Sequence, residues 1–280
     1  MSIWESILYG LIQGIAEFLP ISSSGHLAIF QNVFGAGNPD DNVSFNILLH
    51  LGTLLAVFFV YRKDIFQLIC AFFTLCGKLL KGNFRYSTYN VNERFVILVI
   101  IATLPMVPAA LLEDYIVGLS SSIIIVGAIL LFNAFLLFFS DQMSKGNKTL
   151  DEVTPKNAIA VGLCQMLAVL PGLSRSGSTI TGGLLQGFER PLAVRFSFIL
   201  SIPAILGACV LKLPDFISTA ANESTEQLLI YLAGALVAGL VGVGAMKLLT
   251  YISKKSNFRF FSYYCIAAGL FAILWGIITH

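Results

Sequence analysis

Two short stretches of this 280-residue chain hold residue types suited to chemistry, inside sequence that otherwise has no cheap use for them. GIAEFLPISSSGHL, residues 14 to 27, contains Glu17, Ser22, Ser23, Ser24 and His26. LAVLPGLSRSGSTITGG, residues 167 to 183, contains Ser174, Arg175, Ser176, Ser178 and Thr179. An arginine beside helix N-termini rich in hydroxyls makes an anion site, for which phosphate is the usual guest. His26 is the one base near neutrality in either stretch, Glu17 lies nine residues before it, and Gln13 sits one turn before Glu17, able to share its face. A phosphate cradle, a base or nucleophile and a carboxylate able to hold a divalent cation are the parts of phosphoryl hydrolysis.

The surroundings make these residues expensive. The chain is 57% hydrophobic and 11% charged, where a soluble domain carries about 25% charge, and its mean hydropathy is +0.85. It reads as an all-α polytopic membrane protein forming a single domain, residues 1–280. A net charge of +2 gives no case for nucleic acid. The five cysteines are odd in number, have neither zinc nor CxxC spacing, and read as small packed hydrophobes. No cleavable signal peptide is expected, because no basic segment precedes the first apolar run, which itself holds Glu5 and Glu17.

A helix needs about 20 apolar residues to cross ~30 Å of hydrocarbon. Six stretches qualify: 43–61, 95–113, 116–139, 192–212, 227–249 and 259–279. Regions 3–34 and 157–189 do not, since a proline followed by a Ser/Gly cluster splits each into pieces too short to cross. Irregular backbone at membrane depth survives only against protein or a wet cavity. Both regions are therefore expected to be re-entrant helix hairpins with tips inside the bundle. Segment 65–80 is expected to be an interfacial helix.

The two hairpins are copies. At an offset of 152, GLIQGIAEFLPISSSG (10–25) and GLCQMLAVLPGLSRSG (162–177) match at seven of sixteen positions: Gly10/Gly162, Leu11/Leu163, Gln13/Gln165, Ala16/Ala168, Ser22/Ser174, Ser24/Ser176 and Gly25/Gly177. Basic residues set the orientation. Segments 62–94, 140–158 and 250–259 are rich in lysine and arginine, whereas 31–42, 113–116 and 213–226 hold none. With the basic loops cytoplasmic, the first hairpin enters from outside and the second from inside. The duplication is then an inverted repeat, about 1–140 and 150–280, which brings discontinuous helices together at the midplane.

That arrangement explains why the charges are tolerated. Each charge buried at the centre of a membrane costs on the order of 2.5–3.5 kcal/mol on insertion scales. If the tips meet, Glu17 and Arg175 compensate each other and face one polar cavity. Plainer roles compete: Glu17 as a structural partner of Arg175, His26 as a packing histidine, Ser22 and Ser24 as helix caps. His50 reads as a hydrogen-bonded packing residue, and the glycines of YLAGALVAGLVGVGAMK (231–247) as a close-packing face.

QGIAEFLPISSSGHL (13–27) and PGLSRSGSTITGG (171–183) resemble the two signature motifs of the bacterial undecaprenyl-diphosphatase, or bacitracin-resistance, family. FNILLHLGTLLAVFFVYRKDIF (45–66) is similar to the segment that follows the first hairpin there, and the resemblance runs over essentially the whole chain. It implies a plasma-membrane enzyme of bacteria that removes one phosphate from undecaprenyl diphosphate, regenerating the carrier lipid for peptidoglycan and cell-wall synthesis. It implies Glu17, His26, Arg175 and Ser23 as catalytic residues, with Ser22, Ser24, Ser174, Ser176 and Thr179 around the substrate. It also implies a divalent cation, Mg2+ or Ca2+, held through Glu17 and Gln13. Gln13 is the less acidic of the family's two choices at its position, so two-carboxylate ligation is not expected. Membrane lipids and a second copy of the chain complete the expected partners.

The attacking group is left among His26, Ser23 and a water activated by His26, with direct participation of His26 favoured. A transporter or flippase is the first rival, since broken inverted repeats mark secondary transporters. It has no need of a histidine beside a carboxylate and a phosphate clamp. A lipid phosphatase of the phosphatidic-acid type fails, because no histidine follows Arg175 before His280. A non-catalytic paralogue that binds lipid diphosphate is the third alternative, hinted at by Gln13 alone.

Overall fold

The computed structural model describes residues 1–35, 43–82, 85–110, 119, 122–143, 146–255 and 258–279. Thirteen helices are named in chain order: α1 (Ile3–Ala16), α2 (Ser23–Phe34), α3 (Val43–Val60), α4 (Arg62–Leu80), α5 (Val91–Thr103), α6 (Met106–Ala110), α7 (Ile123–Met143), α8 (Pro155–Leu167), α9 (Arg175–Leu185), α10 (Arg190–Leu211), α11 (Leu213–Ala220), α12 (Thr225–Lys255) and α13 (Arg259–Thr279). No strand occurs among the described residues; one isolated bridge joins Lys148 and Phe188.

Six segments are long and apolar enough to span a bilayer: Val43–Val60, Val91–Ala110, Ile123–Gln142, Arg190–Leu211, Thr225–Lys254 and Arg259–Thr279. They match the six expected stretches, with shifted ends. The second begins at Val91 because Asn90 caps α5 in a reciprocal box with Glu93, which brings that acid inside the helix. Glu93 is fully buried and is neutralised by Lys78 at 2.7 Å. Residues 36–42, 83–84, 111–118, 120–121, 144–145, 256–257 and 280 lie outside the described residues. The end of span 95–113, the link 113–116, the start of span 116–139, and parts of the 31–42 and 250–259 segments fall among them.

Neither Ser/Gly-rich region forms one long helix. The first breaks after 14 residues and resumes for 12, and the second gives helices of 13 and 11 residues. At 1.5 Å per residue each piece reaches only ~17–21 Å. Helix α4 has 19 residues, with Ile65, Ala71 and Leu75 buried and Phe66, Ile69, Phe73 and Leu80 exposed, so that apolar side chains lie on both its inner and its outer face.

Small residues fix how closely the helices approach. A Cβ added to Gly10 or Gly52 would fall on the backbone carbonyl oxygen of Gly234 or Ala235 in α12, and one on Gly162 would fall on that of Ala102 in α5. The first helix of each broken region therefore packs on a long helix from the other half of the chain, α1 on α12 and α8 on α5. The glycine-rich face of 231–247 is the close-packing surface expected. Gly52→Val should cost at least about 1–3 kcal/mol through overpacking, read as a lower thermal unfolding midpoint of the purified protein; an unchanged midpoint would mean the α3–α12 contact is slack.

The bases of the two broken regions lie at opposite ends of α12. Near the start of that helix the Ser6 hydroxyl of α1 donates to the Ile230 carbonyl at 2.6 Å. Just past its end, the Arg259 N–H donates to Asp141, which pairs with Arg190 at 3.0 Å beside the base of α9. The turns at 17–22 and 168–174 meet between them.

Candidate active site

The meeting of the turns is built by serines that cap their own helices. Ser22 Oγ accepts from the Gly25 N–H at 3.2 Å, and Ser174 Oγ from the Gly177 N–H at 3.1 Å. Ser24 lies 3.3 Å from Ser22, and Ser176 lies 3.1 Å from Ser174. Each turn also reaches across. The Gly172 N–H donates to Ser24 Oγ at 3.3 Å, and the Ser176 hydroxyl donates to the Leu19 carbonyl at 3.2 Å. Gly25 closes on Gly172 and Gly177 on Pro20, so a side chain at either glycine would crowd the opposite turn. These pairs are mates under the same offset of 152, which makes the two tips a near-symmetric clasp.

The charged groups break that symmetry. Glu17, at the C-terminal end of α1, accepts through Oε1 from Arg175 Nη2 at 2.8 Å. Its other oxygen accepts from Gln13 Nε2 at 3.1 Å and from the Ser23 hydroxyl at 2.8 Å. Glu17 is 7% exposed and Arg175 15%. A pair this buried holds only if the remaining lone pairs are occupied, and Gln13 and Ser23 do that. Arg175 Nη1 and Gln13 Oε1, in contrast, are buried without a hydrogen-bond partner. So are both amide atoms of Gln165 and the hydroxyls of Ser178 and Thr181. Each such group costs about 1–3 kcal/mol, and six of these atoms fall in the two broken regions.

His26 belongs to the first turn of α2, and its ring nitrogens are engaged by groups other than Glu17. Its Nδ1 lies 2.7 Å from the Ser22 carbonyl, and its Nε2 lies 2.8 Å from the Tyr264 hydroxyl of α13. Ser22 has φ +73°, the one positive φ at a non-glycine among the described residues. Such strain costs of order 1–3 kcal/mol and gathers at functional sites; here it presents the Ser22 carbonyl to His26. Thr179 donates to the Arg175 carbonyl at 2.8 Å and lies 2.6 Å from the Ser197 hydroxyl. That leaves it buttressing the arginine's own turn.

Every residue expected at the site therefore lies within the two turns or the helices that continue them, and Glu17 meets Arg175 directly. Two contributors carried no usable sequence signal. Asn133, fully buried in α7, donates through Nδ2 to the Pro20 carbonyl at 3.0 Å and accepts through Oδ1 from the Ser174 N–H at 3.2 Å. One side chain thus ties both turns together. Tyr264 is the other. Asn133→Leu strands two backbone groups and should cost about 2–4 kcal/mol together with most turnover, whereas a variant with wild-type unfolding and activity would deny the tie. His50 donates to the Asn46 carbonyl at 2.9 Å, in line with its packing role.

No cluster of three or more His, Cys, Asp or Glu occurs among the described residues. A dedicated cage for a divalent cation is thus not offered there. A cation that takes one or two protein oxygens and completes its shell with phosphate and water needs much less. The Glu17 carboxylate and the unpartnered Gln13 Oε1 are hard oxygen donors side by side, and they fit that mode.

Residues 6–271 match the family described as Bacitracin resistance protein BacA. The undecaprenyl-diphosphatase of Alkaliphilus metalliredigens (strain QYMF) is 40% identical over 280 residues, covering 99% of this chain and 100% of the relative. That of Halothermothrix orenii is 40% identical over 275 residues, 98% of each chain. That of Methanobrevibacter smithii is 39% identical over 283 residues, 100% of this chain and 99% of the relative. Since likeness of this depth extends from end to end and takes in both serine turns, the chain belongs to the BacA bacitracin resistance family.

Proposed function

We propose that this chain is an undecaprenyl-diphosphatase, a hydrolase that converts undecaprenyl diphosphate to undecaprenyl phosphate and inorganic phosphate. It works in the plasma membrane and returns the carrier lipid to peptidoglycan and cell-wall synthesis. The observation that carries this reading is the buried Glu17–Arg175 pair at the clasp, with Arg175 Nη1 still unpartnered. The short helices of the two broken regions, their bases at opposite ends of α12 and the exchange of α1 and α8 between halves support two re-entrant hairpins in an inverted repeat.

The terminal phosphate binds at Arg175 and the first turns of α2 and α9, whose dipoles favour an anion. Of the three attacking groups the sequence leaves open, Ser23 is the one supported by the resting hydrogen bonds, because its hydroxyl already donates to Glu17. Ser23 Oγ bonds to the terminal phosphorus, its proton moves to Glu17, and the bond to the bridging oxygen breaks, so undecaprenyl phosphate leaves. Water then attacks the phosphoserine, giving its proton to His26 as general base, and Ser23 recovers a proton from Glu17. Direct participation of His26 is kept, in the second half of the reaction. Arg175 offsets charge on the transferring group throughout. Glu17 and Gln13 would hold a divalent cation, whose chemistry is to neutralise phosphate charge.

The decisive assay is phosphate release from farnesyl or undecaprenyl diphosphate by purified protein. Release is expected, lost with EDTA and restored by Mg2+ or Ca2+. Lipid binding without release would overturn the reading.

A further inference from the structure

His26 is held at both ring nitrogens. Nδ1 faces the Ser22 carbonyl, which can only accept, so Nδ1 carries the proton and Nε2 keeps its single lone pair. That lone pair is taken: the Tyr264 hydroxyl lies 2.8 Å away and must be the donor. The two rings lie 8° from parallel with centroids 5.4 Å apart, so the contact is set by the ring planes as well as by the hydrogen bond. Tyr264 arrives from α13, 238 residues along the chain, and nothing in the phosphatase reading uses it.

A water that attacks a phosphoserine at Ser23 therefore has no lone pair of His26 open to it. It has the Tyr264 oxygen, which still offers acceptor capacity on a residue 41% exposed. We propose that Tyr264 is a catalytic residue, the relay through which the proton of the hydrolytic water reaches His26. This rests on the reading that His26 is the base for that water. In the step, a water O–H bond breaks and its proton passes to the Tyr264 oxygen, while the Tyr264 proton passes to His26 Nε2. The water oxygen bonds to phosphorus, the bond from phosphorus to Ser23 Oγ breaks, and Ser23 recovers the proton held on Glu17. Tyr264 ends neutral and His26 ends as imidazolium, which returns its proton by the same route once phosphate has left.

Tyr264→Phe keeps the ring against His26 and deletes only the relay, so folding should be spared. With purified full-length protein and farnesyl diphosphate, steady-state turnover should fall on the order of 10²-fold with KM falling in parallel, so that kcat/KM is kept. The initial burst of farnesyl phosphate, one per site, should survive, because attack by Ser23 does not use the relay. Rates in H2O/D2O mixtures should bow for the wild type, with two protons moving together, and become linear for the variant. Turnover at the wild-type level in Tyr264→Phe overturns the relay. A slow variant whose isotope curve still bows does so too, leaving Tyr264 as mere support. His26→Ala separates this from the reading beneath it. A fully active His26→Ala removes His26 as base, whereas an inactive His26→Ala beside an active Tyr264→Phe removes the relay alone.

Discussion

Arg175→Met is expected to cost about 3–5 kcal/mol of stability and on the order of 10³-fold or more in turnover. The double variant Glu17→Gln/Arg175→Met is expected to recover most of the stability and none of the turnover. The two losses have different causes. Glu17 is buried, and with arginine gone its charge is left with Gln13 and Ser23, two neutral donors. An uncompensated buried charge is among the most destabilising defects a core can carry. Glu17→Gln removes that charge and keeps a side chain of the same size, so the penalty disappears. The lost turnover has a separate origin in the phosphate, which no longer meets the arginine's guanidinium. Unfolding midpoints and phosphate release for the two single variants and the double variant decide it. A double variant as unstable as Arg175→Met would mean that the arginine does not hold Glu17.

The logic behind that pair was legible before any coordinates. A carboxylate and a guanidinium in two broken hydrophobic stretches are costly apart and tolerable together, and the repeat gave a reason for them to meet. The clasp was partly legible: Ser22/Ser174 and Ser24/Ser176 match at the offset, and the capping role weighed for Ser22 is what the structure gives. The roles of Asn133 and Tyr264 were not legible. Asn133 bonds only to backbone atoms of two remote turns, and a lone asparagine in IIIVGAILLFNAFLLFFSDQM says nothing of its partners. Tyr264 stands among Phe260, Phe261 and Tyr263, and only the rotation of α13 picks it out.

The offset also sorts scaffold from chemistry. Residues 22, 24 and 25 find the same types at 174, 176 and 177, and these build the clasp. Glu17, Ser23 and His26 find Val169, Arg175 and Ser178. An exact repeat would carry one residue type at 17 and 169 and one at 23 and 175, giving two equivalent half-sites. Divergence at 17/169 and 23/175 leaves a single pair, Glu17 with Arg175, with a serine on the acid's side of the clasp and a guanidinium on the other.

If Ser23 is the attacking group, the two catalytic variants fail at different points, and the covalent intermediate tells them apart. Ser23→Ala should lose on the order of 10³-fold or more in turnover and take no label from a diphosphate carrying a radioactive terminal phosphate. His26→Ala should lose about 10²–10⁴-fold yet accumulate labelled protein, with the phosphate on Ser23. The asymmetry follows from the resting hydrogen bonds. Ser23 donates to Glu17, so the attack has its base without His26. His26 is tied to Ser22 and Tyr264, so its absence leaves the serine's proton acceptor in place. Both residues lie half-buried in the first turn of α2, where truncation leaves no large cavity, and unfolding midpoints should stay near the wild type. Labelled Ser23 in His26→Ala separates a phosphoserine route from direct attack by water or by the imidazole. Direct attack by water predicts no label in any variant, and attack by the imidazole predicts label that disappears in His26→Ala and persists in Ser23→Ala.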